Sequence, residues 1–115
     1  MTGADDEYHA GVVGDGYPAG AGWVVAARGE LDQDTLAPLE EALTSAADAY
    51  PVVVLDAAAI TFGDSSFLNL LLQVHQVTTL RIAAPGEQLS RLFALTGTDT
   101  VLSLYASVED AVEGA

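Results

Sequence analysis

Apolar and polar positions fall in blocks along this chain, and the period changes from block to block. Val52 to Leu55 is an unbroken apolar run rich in β-branched side chains, the mark of a strand buried on both faces. Trp23 to Ala27 is a second apolar run with glycine on either side of it, and reads as another buried strand. Leu36, Leu39 and Leu43 recur instead at helical spacing, with Ala46 and Ala47 continuing their side. That helix is expected to start near Asp34 or Thr35, either of which can cap it. Pro38 falls in its first turn and Tyr50-Pro51 ends it.

The second half repeats the alternation. A helix is expected from about Ser66 to Gln76, a strand over Leu80 to Ala83, and a third helix over Glu87 to Leu95. Leu89, Leu92 and Phe93 would face inward, and Gly97 is placed to cap that helix in a left-handed conformation. Val101 to Tyr105 alternates like a strand. Ser107 and Asp110 then open a last helix ending at Glu113. Gly29-Glu30-Leu31-Asp32 and the stretch holding Phe62 and Gly63 read as connections. Before Trp23 the pattern is poor: Tyr8 to Val13 is a short strand at best, and Asp15, Gly16 and Pro18 to Gly22 read as loop. Strands alternating with helices predict an α/β domain with helices laid against one sheet. At 115 residues the chain is one domain, with a core over residues 23–113 and a loosely structured stretch over residues 1–22.

Charge narrows the function. The formal net charge is -14, from 17 acidic and 3 basic side chains. Phosphate backbones and anionic membrane surfaces are both repelled, so neither nucleic acid nor membrane is an expected partner. The basic residues are Arg28, Arg81 and Arg91, and no lysine occurs. A phosphate-binding P-loop and Schiff-base catalysis both need one. Without cysteine there is neither a disulfide framework nor a thiol nucleophile. The acidic start, Met1 to Asp6, has no apolar stretch behind it, unlike a secretory signal, and a cytoplasmic protein is expected.

Candidate chemistry centres on Asp64-Ser65-Ser66, a turn expected to aim its side chains at the start of a helix. Free backbone N–H groups there favour a negative group, so a phosphate on Ser65 would find donors ready-made. Taken alone, the spacing equally describes an ordinary N-cap, the commoner case. The helix that follows carries Phe67, Leu70, Leu71 and Val74 as one apolar stripe, widened by Leu68 and Leu72. The extra width is either deeper burial or an apolar edge for a partner. Ser65 is a poor nucleophile candidate. His75 lies too far along the same helix, His9 sits near the chain end, and no G-x-S-x-G elbow surrounds the serine. Asp56 stands where receiver domains place a phospho-accepting aspartate, but those sites also use a lysine, so a strand-end or turn-cap role is expected. Asp5-Asp6-Glu7 reads as a solvated tail, and no metal or cofactor is expected.

Gly29-Glu30-Leu31-Asp32 with Thr35, then Val53 to Asp56, Phe62 and Asp64-Ser65-Ser66, together resemble the signatures of STAS domains of the anti-sigma factor antagonist type. Leu95-Thr96-Gly97, Val101 to Tyr105 and Ser107 to Ala111 look like the family's C-terminal portion. The resemblance implies a mixed sheet of four or five strands with about four helices mainly on one side. It implies a regulatory protein, not an enzyme, that binds an anti-sigma factor with serine kinase activity and so frees a sigma factor. Phosphorylation of Ser65 would release the partner, and a phosphatase would reset it. Asp32, Asp64, Ser65, Ser66, Phe67, Leu68 and Leu72 are the expected partner-binding residues, on a monomer or weak dimer. A STAS binding or scaffold module outside sigma control is the alternative. Two positions differ from the common pattern: Phe67 stands where glycine is usual, and Gly63 where a bulkier residue is usual. The stretch from Ser65 to Leu80 is also shorter than usual.

Overall fold

A computed structural model describes residues 12–14 and 16–114. In chain order the elements are β1 (Val12–Val13), β2 (Tyr17–Ala19), β3 (Gly22–Leu31), α1 (Ala37–Ala49), β4 (Val52–Gly63) and α2 (Ser65–Val77). There follow β5 (Thr79–Ala83), α3 (Glu87–Thr96), a 3-10 turn (Thr98–Thr100), β6 (Ser103–Tyr105) and α4 (Val108–Glu113). The strands form one mixed sheet in the order β1-β3-β4-β5-β6, and β2 also pairs with β3. Pairing is antiparallel for β1 and β2 on β3, and parallel for β3–β4, β4–β5 and β5–β6.

The apolar runs form the middle of this sheet because they are covered on both sides. Val25, Ala27, Val53, Leu55, Leu80 and Ile82 join Leu39 and Leu43 of α1, Phe67 and Leu71 of α2, and Leu89 and Phe93 of α3 in the main core. The alternate residues Val24, Val54 and Ala83 form a small second cluster with Ala111. Successive strand side chains point to opposite faces, so α1, α2 and α3 cover one face and the short α4 caps part of the other. Arg81 holds α4 in place, donating from Nη1 to the Ala111 carbonyl at 2.9 Å.

Several boundaries differ from the sequence expectation, each for a physical reason. Gly29, Glu30 and Leu31 do not form a connection. They continue β3 alongside the end of β4, with register shifts between Ala26 and Arg28 and between Gly29 and Glu30. Gly29 takes φ +84 at this irregularity, a conformation glycine adopts without steric cost. Phe62 and Gly63 likewise belong to β4, opposite Glu30 and Leu31. Tyr17–Ala19 is a strand where a loop was expected: Ala19 pairs with Gly22 across a tight turn, and Gly20 supplies its positive φ of 58. Helix α1 starts later than Asp34 or Thr35, with Leu36 at the cap position and no side-chain cap. Gly97 does take the left-handed conformation expected of it, at φ 77. The expected strand from Tyr8 survives as Val12–Val13, and its first four residues lie outside the described residues.

Candidate functional site

The C-terminal ends of two parallel strands build the site. β3 ends at Leu31 and β4 at Gly63, and these residues are register partners. The bond from the Asp64 N–H to the Leu31 carbonyl, 3.2 Å, carries the pairing one step further. Asp32 and Asp64, the residues that follow each strand, therefore leave the sheet side by side. In open sheets of this kind the crevice beyond the strands' carboxyl ends is the usual place for a binding site.

Asp32 is consumed by its own turn. Its Oδ1 accepts from the Asp34 N–H at 2.9 Å and from the Thr35 N–H at 3.1 Å. The Thr35 hydroxyl oxygen accepts from the Asp32 N–H at 2.9 Å, and lies 3.0 Å from the Glu30 carbonyl, to which it donates. Asp and Thr spaced this way close a turn on themselves. Thr35 thus ties the loop and does not cap α1, a correction to the expectation. The resulting surface is acidic: Glu30 and Asp34 are exposed, and Asp32 and Asp64 are half-buried.

Helix α2 begins at Ser65 with Asp64 as its N-cap. One carboxylate oxygen, Oδ1, accepts from the Ser66 N–H at 2.9 Å and from the Phe67 N–H at 3.2 Å. The next donor, the Leu68 N–H, reaches the Asp64 carbonyl at 3.1 Å. The expectation of ready-made donors for a phosphate is therefore corrected. Asp64 already holds the Ser66 and Phe67 N–H groups, and its negative charge sits beside the place a phosphate on Ser65 would occupy. Ser65 itself is exposed and Ser66 is half-buried.

The wide apolar arc of α2 resolves in favour of burial. Phe67, Leu68, Leu70, Leu71 and Val74 are all buried, because α2 packs against α1 as well as against β4 and β5. Phe67 is wholly inaccessible and Leu68 nearly so. Neither offers a side chain to a partner, so both leave the expected contact set. Leu72 is half-buried at the margin of the core.

The other candidates stand apart from the site. Asp56 lies within β4, not at its end, and its Oδ1 accepts from the Ala58 N–H at 3.1 Å. His75 is in the last turn of α2, half-buried, with Nδ1 buried and unpartnered among the described residues. His9 and Asp5-Asp6-Glu7 lie outside the described residues. Among the described residues no helix is long and apolar enough to cross a membrane. Sequence reasoning missed the exposure of Phe62, which is 49% accessible although it sits in a strand.

The chain matches the family model described as "Mlab, STAS domain" over residues 19–105. No sequence among the curated proteins matches it. Among solved structures it is similar to an anti-sigma factor antagonist from Mycobacterium paratuberculosis, at 28% identity and TM-score 0.80, covering 90% of this chain and 93% of that one. It also resembles SpoIIAA, a Bacillus cell fate determinant and anti-sigma factor antagonist. For the unphosphorylated form the identity is 19% and the TM-score 0.71, over 88% of this chain and 96% of that one. For the phosphorylated form they are 18% and 0.63, over 87% and 96%.

Proposed function

The chain belongs to the STAS-domain family, and from that premise we propose that it is an anti-sigma factor antagonist switched off by phosphorylation of Ser65. Its partner is an anti-sigma factor that is also a serine kinase, and a phosphatase restores binding. The chain itself performs no catalysis; its work is to occupy the partner. The observation that carries this reading is the exposed hydroxyl of Ser65 at the start of α2, beside the acidic turn of Asp32 and the carboxylate of Asp64.

The switch follows from charge. Phosphorylation adds about -1.5 to -2 charges at neutral pH. With Ser66 N–H and Phe67 N–H already held by Asp64, the new group meets a like charge at close quarters and gains little from the helix end. In the open protein, water screens that repulsion. Beneath a partner the water is gone, and the repulsion is paid for in affinity. A penalty of about 3 kcal/mol weakens binding on the order of a hundredfold. Helix α2 keeps its cap throughout, so release does not require unfolding.

Asp64, Ser65, Ser66 and the Asp32 turn form the partner-facing surface, with Leu72 at its apolar margin. The test is phosphoryl transfer. The cognate kinase with labelled ATP should label the wild-type chain on Ser65 and leave Ser65→Ala unlabelled. Label appearing only on Ser66, or none at all, would refute the assignment. A second reading, a STAS binding module outside sigma control, draws on the description of the matched family model, and a chain that no kinase labels would favour it.

A further inference from the structure

Next to the Ser65 turn, the end of β4 and the outer side of α3 enclose an open groove of about 300 Å³. Thr61, Phe62, Gly63, Arg91, Leu92 and Leu95 are among its walls. Phe62 is 49% exposed and Leu95 78%. Helix α3 has already committed Leu89 and Phe93 to the core, so Leu95 is apolar surface in excess of what folding needs. Gly63, one of its walls, immediately precedes Asp64 and Ser65 in the chain.

Charge decides what fits there. The chain has 3 basic side chains against 17 acidic ones. Arg81 is spent on the Ala111 carbonyl, and Arg28 lines a different cavity, with Ala26 and Asp56. Arg91, exposed on α3, is the cation of this groove. A guanidinium beside an apolar floor pairs with a carboxylate while its neighbours take an apolar side chain. A second copy of the chain is a poor occupant, because each copy brings a formal charge of -14.

We propose that this groove is a second contact point for the protein that covers Ser65, and that it receives a short partner segment with an apolar side chain flanked by Asp or Glu. The partner's identity rests on the function proposed above, whereas the chemistry of the segment rests on the groove alone. The partner would then present two faces, a basic one to the acidic turn and an apolar, acidic one to α3.

A random dodecapeptide library panned against the full chain at about 0.15 M salt, where long-range attraction is screened, tests the inference. Enriched peptides should pair a large apolar residue with a neighbouring carboxylate. Their amide shift changes should map to residues 61–63 and 88–95. Leu95→Asp should cut their affinity at least about tenfold, and Arg91→Glu should turn the preference towards lysine-bearing peptides. Both side chains are exposed, so neither change threatens the fold. Enrichment of basic peptides alone, no enrichment, or binding indifferent to Leu95→Asp would overturn the proposal. A dimer in sedimentation equilibrium that Leu95→Asp dissolves would overturn it in favour of self-association. Peptide binding should be the same in Ser65→Asp as in the wild type. Failure of the Ser65 switch therefore leaves the groove standing, and failure of the groove leaves the switch.

Discussion

Gly63 and Phe67 share one space. A β-carbon on Gly63 would lie 2.9 Å from Cε2 of Phe67 and closer still to Cδ2. The two make an exchange of volume: the ring at position 67 fills the space that a side chain at position 63 would need. That ring is fully buried one turn into α2, where it fastens the helix start, and with it Ser65, against the end of β4.

Each single change at this pair should destabilise. Gly63→Val overpacks the ring by about 1–3 kcal/mol, and Phe67→Ala opens a cavity worth about 3–5 kcal/mol. Because the two residues compete for one volume, the double variant should lose clearly less than the sum of the single losses. Urea denaturation of the four proteins measures this directly, and strict additivity would disprove the exchange.

Asp64 should prove to be a structural residue as much as a surface one. Its carboxylate oxygen holds two first-turn donors. Asp64→Ala should therefore cost about 0.5–2 kcal/mol of stability. Asp64→Asn should recover most of that loss, because an asparagine oxygen caps a helix nearly as well. Thermal unfolding by circular dichroism gives the comparison.

The turn after β3 depends on Thr35. Thr35→Val removes the hydroxyl that accepts from the Asp32 N–H and donates to the Glu30 carbonyl. About 1 kcal/mol per hydrogen bond should be lost locally. Amide hydrogen exchange at Asp32 and Asp34 should accelerate, while exchange in β4 and β5 stays unchanged. Acceleration spread across the sheet would show that the turn has a wider role.

Much of this fold can be read from the chain because its signals are local. Val52 to Leu55 reads as a buried strand from side-chain type alone, and Gly97 reads as a left-handed cap from its place after an amphipathic helix. The extension of β4 to Gly63 is not legible. Asp56 and the alanines after it carry no period, and their strand conformation comes from pairing with β3 across two register shifts. The turn of α4 onto the opposite face is equally hidden, since it rests on Ala111 and on the distant Arg81. At the site, the sequence places Ser65 at a helix start. It does not reveal that Asp64 has taken the neighbouring donors, or that Leu68 is used up by packing. Those outcomes depend on the rotamer of one side chain and on where α1 lies.

Calorimetric titration of the anti-sigma partner with Ser65→Ala and Ser65→Asp reads the central claim most directly. Both variants should unfold within about 0.5 kcal/mol of the wild type, since the position is exposed. Ser65→Ala should bind as the unmodified chain does, and Ser65→Asp should bind weaker by on the order of tenfold or more, one added charge being less than a phosphate supplies. Equal dissociation constants for the two variants would contradict the account.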